Sequence, residues 1–334
     1  MKIVLVTPYY HQPRGNTITV QRISEGLNHL GVVTEIISST EEQAKFKLPQ
    51  GDIIHGFNAY HFYRYILRQG PIHTPYLLTL TGTDLNHDLF NPERRDGVIQ
   101  VLRGARAVHV FNKQARTTLL QEVPFLQKQT FIISQGTVNF RALDYKVKEK
   151  EAETFVFLLP AGIRQVKNIS QAINMLNSLY NQESSVRLWI AGPIIEHAEA
   201  RNVEELVQKN RNWVTYLGQI PHREMGALYK CADVVLNTSL SEGQSSAVLE
   251  AMNQGIPVLV SDIPGNQDIV THGNVGFLYD NEREFEHFSR QLIKDSMLRL
   301  QMGKLGKEYV KKYHSSEQEV KDLLLVYGQV LENS

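Results

Sequence analysis

Cysteine is nearly absent from this sequence. Cys231 is the single cysteine among 334 residues, so no disulfide can form within the chain and no cysteine-rich zinc site is available. This usage is typical of a protein in a reducing compartment.

Long hydrophobic runs are also lacking. The apolar run near the N-terminus meets Pro8 after a few residues, which is too short for the core of a signal peptide. No other stretch approaches the roughly 18 apolar residues that a membrane-spanning helix requires. We therefore expect a soluble cytoplasmic protein, with peripheral membrane contact left open and the oligomeric state undetermined.

Neither sign of charge is in excess. Lys plus Arg and Asp plus Glu both number 35, so the total charge indicates no nucleic-acid partner. The sequence contains no G-x-G-x-x-G fingerprint, which argues against an NAD-dependent dehydrogenase. It also contains no D-x-D motif, no H-E-x-x-H motif and no comparable cluster of metal ligands.

Short apolar runs alternate with helical patterns along the whole chain. Strands are predicted in a first series at 2–8, 33–38, 52–57, 76–82, 107–111 and 130–134. They are predicted in a second series at 154–162, 187–192, 214–219, 234–237, 257–261 and 276–279. Helices are predicted at 19–31, 168–180, 199–209, 223–231, 245–254, 284–312 and 315–333. This alternation predicts an α/β protein with two doubly wound, Rossmann-like domains.

The charged segment 145–154 has no apolar face and is predicted to be a linker. We therefore predict an N-terminal domain at 1–148 and a C-terminal domain at 149–314. The helix at 315–334 is expected to cross back and join the first domain, with capping of the second domain as the alternative. Because ligands bind beyond the carboxyl ends of such strands, two facing sheets would place a cleft between the domains.

The stretch 241–265, "SEGQSSAVLEAMNQGIPVLVSDIPG", crosses from a predicted strand to a predicted helix. Ser245 or Ser246 is predicted to cap this helix, and Gly255 is predicted to end it. The backbone N–H groups and the dipole at the start of the helix favour an anion such as a phosphate.

Two carboxylates flank this helix start. Glu242 lies in the loop and Glu250 lies inside the helix. Both would repel a bare phosphate, but carboxylate oxygens accept hydrogen bonds from the vicinal hydroxyls of sugars. The stretch therefore suggests a nucleotide-sugar, although two glutamates at this spacing are, taken alone, more often solvated surface residues.

The wider segment 217–280 closely resembles the glycosyltransferase group 1 domain, a family of retaining glycosyltransferases with the GT-B fold. Glu242 and Glu250 match the E-x7-E signature of that family, and "EGQSSAVLEAM", "GIPV" and "DIPGN" match its surroundings. The resemblance covers most of 154–330 and, more weakly, the first half of the chain. The chain also resembles a small branch described only as glycosyltransferase 1 domain-containing proteins.

The resemblance implies a set of donor-binding residues in the second domain. In the family the first glutamate and the amides after it contact the donor sugar, and the second glutamate holds the ribose hydroxyls. Carried over to this sequence, these residues are Glu242, Gly243, Gln244, Ser245, Ser246 and Glu250.

The resemblance also implies a cationic clamp for the diphosphate. Arg164 and Lys167 follow the first strand of the second domain and are predicted, with Glu242, to be the catalytic residues. The family commonly has four residues between the Arg and the Lys, whereas this sequence has two. Further donor contacts are expected from the strand-end residues Gln219 and Ile220 and from the backbone of Gly15 and Asn16.

The segment "TLTGTDLNHD" (79–88) resembles the T-x-H-G-x-D pattern of the family. Thr81 replaces the usual His, which is the largest departure from the family. Thr81, Gly82, Asp84 and His55 are predicted to lie on the acceptor side. His61 is a weaker candidate, and a structural histidine is the alternative for His55 and for His61.

The resemblance implies a retaining glycosyltransferase that moves a sugar from a nucleotide-sugar to an acceptor hydroxyl, with no essential divalent metal and no cofactor. A UDP- or GDP-sugar is the expected donor, and the acceptor is not indicated. A nucleotide-sugar-binding pseudoenzyme is one alternative, suggested by Thr81 and by the shortened Arg–Lys spacing. Another GT-B enzyme, such as a sugar-nucleotide epimerase or a phosphorylase, is the other.

Overall fold

The structure is a computed structural model that describes residues 1–41, 48–140 and 148–332. The chain divides into two compact units. Unit 1 comprises Met1–Gly136 and His314–Ser334, and unit 2 comprises Thr137–Tyr313. The boundary predicted at 148 falls later in the chain than this division. Residues 145–147 of the predicted linker and the last two residues of the C-terminal segment lie outside the described part.

Unit 1 contains a six-stranded parallel sheet with the strand order β2-β1-β3-β4-β5-β6. Its strands are β1 (Lys2–Thr7), β2 (Val33–Ser38), β3 (Ile53–Phe57), β4 (Tyr76–Thr79), β5 (Ala107–Val110) and β6 (Thr130–Ile132). The α-helices in its N-terminal segment, Met1–Gly136, are α1 (Gly15–His29), α2 (Ala59–Gln69), α3 (Thr83–Asn86), α4 (Arg95–Gly104) and α5 (Lys113–Glu122). The central strands are buried along their whole length because helices cover both faces.

Unit 2 repeats this design with the strand order β12-β11-β10-β7-β8-β9. Its strands are β7 (Phe155–Pro160), β8 (Val186–Ala191), β9 (Val214–Tyr216), β10 (Val234–Asn237), β11 (Val258–Ser261) and β12 (Gly276–Tyr279). Its helices are α6 (Ile169–Tyr180), α7 (His197–Lys209), α8 (Met225–Lys230), α9 (Ser246–Asn253), α10 (Pro264–Gln267), α11 (Glu282–Lys294) and α12 (Ser296–Tyr313). The predicted α/β class with two doubly wound sheets is confirmed.

Glycine ends helix α1 as the sequence predicted. Gly31 has φ +79°, its N–H donates to the carbonyl of Asn28 at 3.0 Å, and the N–H of Val32 donates to the carbonyl of Leu27 at 3.0 Å. This pair of bonds is the Schellman arrangement, which needs a left-handed residue that glycine adopts without a steric cost.

The single helix predicted at 284–312 is wrong. The chain forms two helices there, α11 and α12, because Asp295 between them has an extended backbone with φ −110° and ψ 94°. Its carboxylate accepts a hydrogen bond from the N–H of Leu298 at 2.8 Å and caps the second helix. None of the helices in the described part of the chain is long and apolar enough to cross a membrane.

The last helix, α13 (Ser316–Glu332), packs in unit 1. Val320, Leu323 and Tyr327 on one of its faces are buried in the same apolar cluster as strand β1. The Tyr327 hydroxyl also forms a hydrogen bond with Nδ1 of His55 at 2.7 Å. This helix therefore covers one face of the unit 1 sheet.

Tyr327 begins a series of hydrogen bonds between buried side chains of unit 1. Nε2 of His55 bonds to the Thr79 hydroxyl at 2.6 Å, which in turn bonds to Nδ1 of His109 at 2.8 Å. Nε2 of His109 ends the series by donating to the Ile133 carbonyl at 2.9 Å. Burial, helped by the charge of His109, lowers the pKa of His55 well below its usual value. Burial also lowers the pKa of His109, although the Ile133 carbonyl opposes this.

We expect the two histidines to destabilise unit 1 as the pH falls below about 6.5, the pKa of an unfolded histidine, although Asp84, whose pKa is raised to about 6, acts in the opposite direction. The unfolded chain then binds protons that His55 and His109 in the folded unit do not bind. The free energy of unfolding is therefore fully retained above that pH. It declines by up to about 1.4 kcal/mol per pH unit for each histidine below it. Hydrogen exchange between pH 7.5 and 5.5, corrected for intrinsic rates, should show weaker protection in β3 and β5. Equal protection of these strands at both pH values would contradict the assignment.

Candidate active site

The two predicted residues Lys167 and Glu242 meet at the carboxyl edge of the unit 2 sheet. Lys167 ends a short 3-10 turn after β7, and Glu242 lies in the loop after β10. Lys167 Nζ donates to Glu242 Oε1 at 2.5 Å, and the two side chains are 17% and 10% exposed. This is the point where the strand order of the sheet reverses, between β10 and β7, which is the preferred ligand position in doubly wound sheets.

Glu242 is held as a carboxylate. Ser239 Oγ donates to Oε1 at 2.7 Å and Asn237 Nδ2 donates to it at 3.1 Å. Burial alone would raise the pKa of Glu242, but the Lys167 ammonium and these two hydrogen bonds outweigh burial, so the pKa is lowered. The side chain is therefore an ionised hydrogen-bond acceptor at neutral pH.

Asn237, the last residue of β10, organises the loop that carries Glu242. Its Nδ2 also contacts Ser245 Oγ at 3.1 Å, and its Oδ1 accepts from the N–H of Ser239 at 3.1 Å and from Asn266 Nδ2 at 3.2 Å. Asn237 is 7% exposed. One buried amide thus fixes both ends of the loop.

Ser245 occupies the N-cap position of α9, as predicted, but its hydroxyl does not cap the helix. The hydroxyl oxygen accepts a hydrogen bond from Asn237 Nδ2 instead. At the other end, Gly255 has φ +76° and its N–H donates to the carbonyl of Met252 at 2.9 Å. The predicted stop at Gly255 is therefore confirmed, while hydroxyl capping by Ser245 is corrected because its oxygen accepts from the Asn237 amide instead.

The neighbouring loop residues have different surroundings. Gln244 is buried, and its Nε2 donates to Asp268 Oδ2 at 2.6 Å, which ties the loop to the end of α10. Gly243 and Ser246 are half-buried on either side of it. Gly265 packs so closely that an added Cβ would lie 2.5 Å from the Glu242 carbonyl oxygen. The "DIPGN" segment therefore supports the backbone of Glu242 directly.

Arg164 lies three positions before Lys167, at the start of the same 3-10 turn. Its Nε is buried and has no hydrogen-bond partner among the described residues. Because a buried charged donor without a partner is costly, an anion at this position would satisfy it.

Glu250 lies in α9 and is 6% exposed. Its Oε1 contacts His222 Nε2 at 2.8 Å, and its Oε2 accepts from the Tyr229 hydroxyl at 3.0 Å. Burial raises the pKa of Tyr229 well above its usual value, and the Glu250 carboxylate raises it further. Tyr229 therefore remains a hydrogen-bond donor, and Glu250 is fixed in one orientation.

Two further predicted donor-binding residues lie just after β9. Gln219 is exposed and Ile220 is half-buried against the apolar cluster that includes α9. The backbone turns at Gly218, which has φ +71°. The same segment continues to His222, whose side chain contacts Glu250.

The remaining predicted residues belong to unit 1. Gly15 is exposed at the first position of α1, with open space where a Cβ would lie, and Asn16 is half-buried beside it. Asp84 is fully buried, and its Oδ1 accepts from the N–H groups of Thr81 at 2.9 Å and Gly82 at 3.0 Å. Gly82 has φ +117°, so this turn requires glycine.

The Asp84 carboxylate accepts hydrogen bonds from the backbone around it. Its Oδ2 accepts from the N–H of Ala59 at 2.9 Å, which links this turn to the start of α2. Burial raises the pKa of Asp84 to about 6, although the backbone hydrogen bonds oppose this. Asp84 therefore shapes the carboxyl edge of the unit 1 sheet at Thr81 and Gly82.

His55 was predicted to end a strand and to lie on the acceptor side. It lies instead in the middle of β3, with no exposed surface and with both ring nitrogens in hydrogen bonds. A side chain in this position has no surface with which to contact a substrate, so His55 is a core residue. His61, the weaker candidate, lies in the first turn of α2 and is half-buried.

Sequence reasoning missed His222, Tyr229, Asn237 and Ser239. Two of them carried a usable signal, since Asn237 ends a predicted strand and Ser239 comes two positions later. His222, in the 3-10 turn before α8, and Tyr229, in α8, reach Glu250 only through tertiary packing. Among the described residues, no group of three or more His, Cys, Asp or Glu is arranged to hold a metal ion.

Comparison with known proteins agrees with this geometry. Residues 141–309 match the family described as glycosyl transferases group 1. The chain is 30% identical over 322 residues to glycosyltransferase 1 domain-containing protein 1 of Xenopus tropicalis, with 91% of each chain covered.

Solved structures share the fold. Sucrose-phosphate synthase of Thermosynechococcus elongatus superposes with a TM-score of 0.80 at 18% identity, and 100% of both chains is covered. Anabaena HepE, solved in complex with UDP and glucose, superposes with a TM-score of 0.75 at 16% identity over 98% of this chain and 99% of that one. The two parallel sheets are therefore those of the GT-B fold, and the chain belongs to the group 1 glycosyltransferase family.

Proposed function

We propose that this chain transfers a sugar from a nucleotide-sugar to an acceptor hydroxyl, with retention at the anomeric carbon and without a divalent metal. The donor is expected to be a UDP- or GDP-sugar bound by unit 2. The observation that carries the proposal is the ion pair of Lys167 and Glu242 at the switch point of the sheet. Glu250 follows in helix α9, with seven residues separating the two glutamates.

Glu242 is suited to the donor sugar. Its lowered pKa keeps it ionised at neutral pH, and an ionised carboxylate accepts hydrogen bonds from two sugar hydroxyls at once. The residues that hold it, Asn237 and Ser239, are both buried. Glu242 would therefore orient the sugar in a fixed position, which is a contribution to rate by positioning.

Arg164 and Lys167 are suited to the diphosphate. Lys167 retains N–H donors besides the one that it gives to Glu242, and Arg164 has a buried Nε without a partner among the described residues. Both charges would stabilise the negative charge that develops on the leaving phosphate. This cationic clamp supports a reaction in which no metal is required.

The proposed transfer occurs on one face of the sugar. The bond from the anomeric carbon to the phosphate oxygen breaks as the bond to the acceptor oxygen forms on the same face. The acceptor proton passes to the departing phosphate oxygen, so the step needs no protein nucleophile. Glu242 and Lys167 contribute by orientation and electrostatic stabilisation.

Glu250 is proposed to accept hydrogen bonds from the ribose hydroxyls of the nucleotide. Nucleotide binding by Glu250 variants tests this proposal. Calorimetry with UDP, GDP and their sugars should find a nucleotide that binds the unaltered chain. Glu250→Ala should weaken that binding by about 10- to 100-fold, because two hydrogen bonds to a charged group are lost. HepE, a structural relative, was solved with UDP, so UDP is the first ligand to titrate.

Two further variants make this test specific. Glu205→Ala removes an exposed carboxylate from α7 in the same unit and should leave nucleotide binding unchanged. Glu250→Gln retains the shape of the side chain and guards against a folding defect in the alanine variant. Unchanged affinity in both Glu250 variants would refute the ribose role. Donor binding without nucleotide release, with every acceptor tried, would favour the pseudoenzyme.

A further inference from the structure

Unit 1 carries a row of aromatic and cationic side chains that are not among the residues proposed to bind the donor. The Arg14 guanidinium lies 3.8 Å from the centre of the Tyr9 ring, and the Tyr9 ring contacts the His61 ring edge-on at 5.4 Å. The row continues with Tyr60, whose ring centre is 6.1 Å from that of His61 and 4.9 Å from the Arg94 guanidinium. Two arginines thus flank three rings in one continuous group.

The row lies where a doubly wound sheet binds ligands. Tyr9 follows the end of β1, and His61 lies in the first turn of α2, immediately after β3. These strands are neighbours in the sheet, and β4 lies next to β3. The group therefore occupies the carboxyl edge of the sheet.

Three arginines lie close enough to the His61 ring to affect its pKa. Arg14, Arg64 and Arg94 lower the pKa of the His61 imidazole, and Asp88 raises it. Asp88 is bound to Arg94 at 2.7 Å, whereas Arg64 is exposed.

The backbone at this row is strained. Tyr9 has φ +54° and Asn58, the N-cap of α2, has φ +69°. Only four non-glycine residues in the described part of the chain have a positive φ. Such strain is costly and is concentrated at ligand sites. Here it occurs on both strand ends that bear the row.

We infer that this row binds a phosphate group carried by the acceptor. Arginine N–H groups form paired hydrogen bonds with phosphate oxygens, so a group flanked by Arg14 and Arg94 matches a phosphate better than a neutral sugar. The inference rests on the proposed function, because it names the acceptor class of the same reaction. The phosphate can be a monoester on a small molecule or a diester within a larger one, since both present the same oxygens.

The pKa of His61 can report whether an anion binds at this row. Burial lowers the pKa of His61, Asp88 opposes this, and Arg14, Arg94 and Arg64 lower the pKa further. NMR titration of the full chain, with the His61 signal assigned by its loss in His61→Gln, measures that pKa. Glucose 6-phosphate or glycerophosphoglycerol should raise it by about half a unit or more. Glucose and glycerol, the neutral controls, should leave it unchanged.

Two variants, each lacking one exposed arginine of unit 1, distinguish an effect of the row from an effect of general surface charge. Arg64→Gln should raise the pKa of His61 in the free protein and reduce the shift that glucose 6-phosphate causes. Arg106→Gln removes an exposed arginine just before β5, at the opposite edge of the same sheet, and should do neither. Equal behaviour of the two variants would overturn the inference.

Two other results would also overturn it. One is an unchanged His61 pKa with both phosphate compounds. The other is a UDP-induced shift of the same size together with displacement of glucose 6-phosphate, because the row would then belong to the donor site. Failure of the proposed function gives a different result, namely no binding of any UDP- or GDP-sugar while the phosphate-induced shift at His61 persists.

Discussion

Lys167→Ala is expected to reduce kcat/KM by ~100- to 1,000-fold with the nucleotide-sugar that supports turnover of the unaltered chain. The variant loses a cation placed to stabilise the leaving phosphate, and removal of one such group typically has an effect of this size. It also leaves the Glu242 carboxylate without its ammonium partner. Nucleotide release under subsaturating donor is the measurement.

The pH dependence of Lys167→Ala separates catalysis from simple loss of structure. Because Lys167 lowers the pKa of Glu242, its removal should raise that pKa and move the acid limb of the rate profile to higher pH. Lys150→Ala is the matched control, since Lys150 forms a similar ion pair with Asp233 at 2.5 Å elsewhere in unit 2. Comparable losses of activity in the two variants would refute the role of Lys167.

Glu319→Ala is expected to lower the free energy of unfolding of unit 1 by about 3–5 kcal/mol, the usual cost of breaking a buried ion pair on one side. Glu319 in α13 accepts two hydrogen bonds from Arg22 in α1, at 2.9 and 2.8 Å. The two side chains are 0% and 4% exposed. The alanine variant would leave the Arg22 charge buried and uncompensated.

The double variant Arg22→Met/Glu319→Leu tests this explanation. Replacement of both partners by apolar groups of similar size should restore most of the lost stability, because no charge is then left unpaired. Urea unfolding followed by hydrogen exchange in α1 and α13 measures unit 1 separately from unit 2. A double variant as unstable as Glu319→Ala would show that the cost comes from lost packing.

The strands and most helices were predictable because they depend on local patterns. Apolar runs bounded by turn residues marked the strands, and Gly31 and Gly255 marked two helix ends through their backbone freedom. The interruption at Asp295 was missed because a helical period continues on both sides of it. Only the extended backbone of Asp295 shows the break.

The candidate site was predictable only in part. Glu242 and Lys167 were named from the sequence, and the structure brings them to hydrogen-bond distance. The contacts of Glu250 with His222 and Tyr229 span 28 and 21 positions of the chain, and no spacing rule connects such residues. His55 was misplaced for the related reason that a histidine in an apolar run can lie in a core when it finds buried partners.

By itself, the sequence determined the α/β alternation, the resemblance to group 1 glycosyltransferases and the pair of glutamates around one helix start. These follow from local periodicity, turn chemistry and motif spacing, which act over a few residues. Tertiary structure alone decided that Lys167 neutralises Glu242, that Arg22 pairs with Glu319 across 297 positions, and that His55 is buried. Burial and charge pairing depend on which distant side chains share a low-dielectric space, and only the folded chain brings them together.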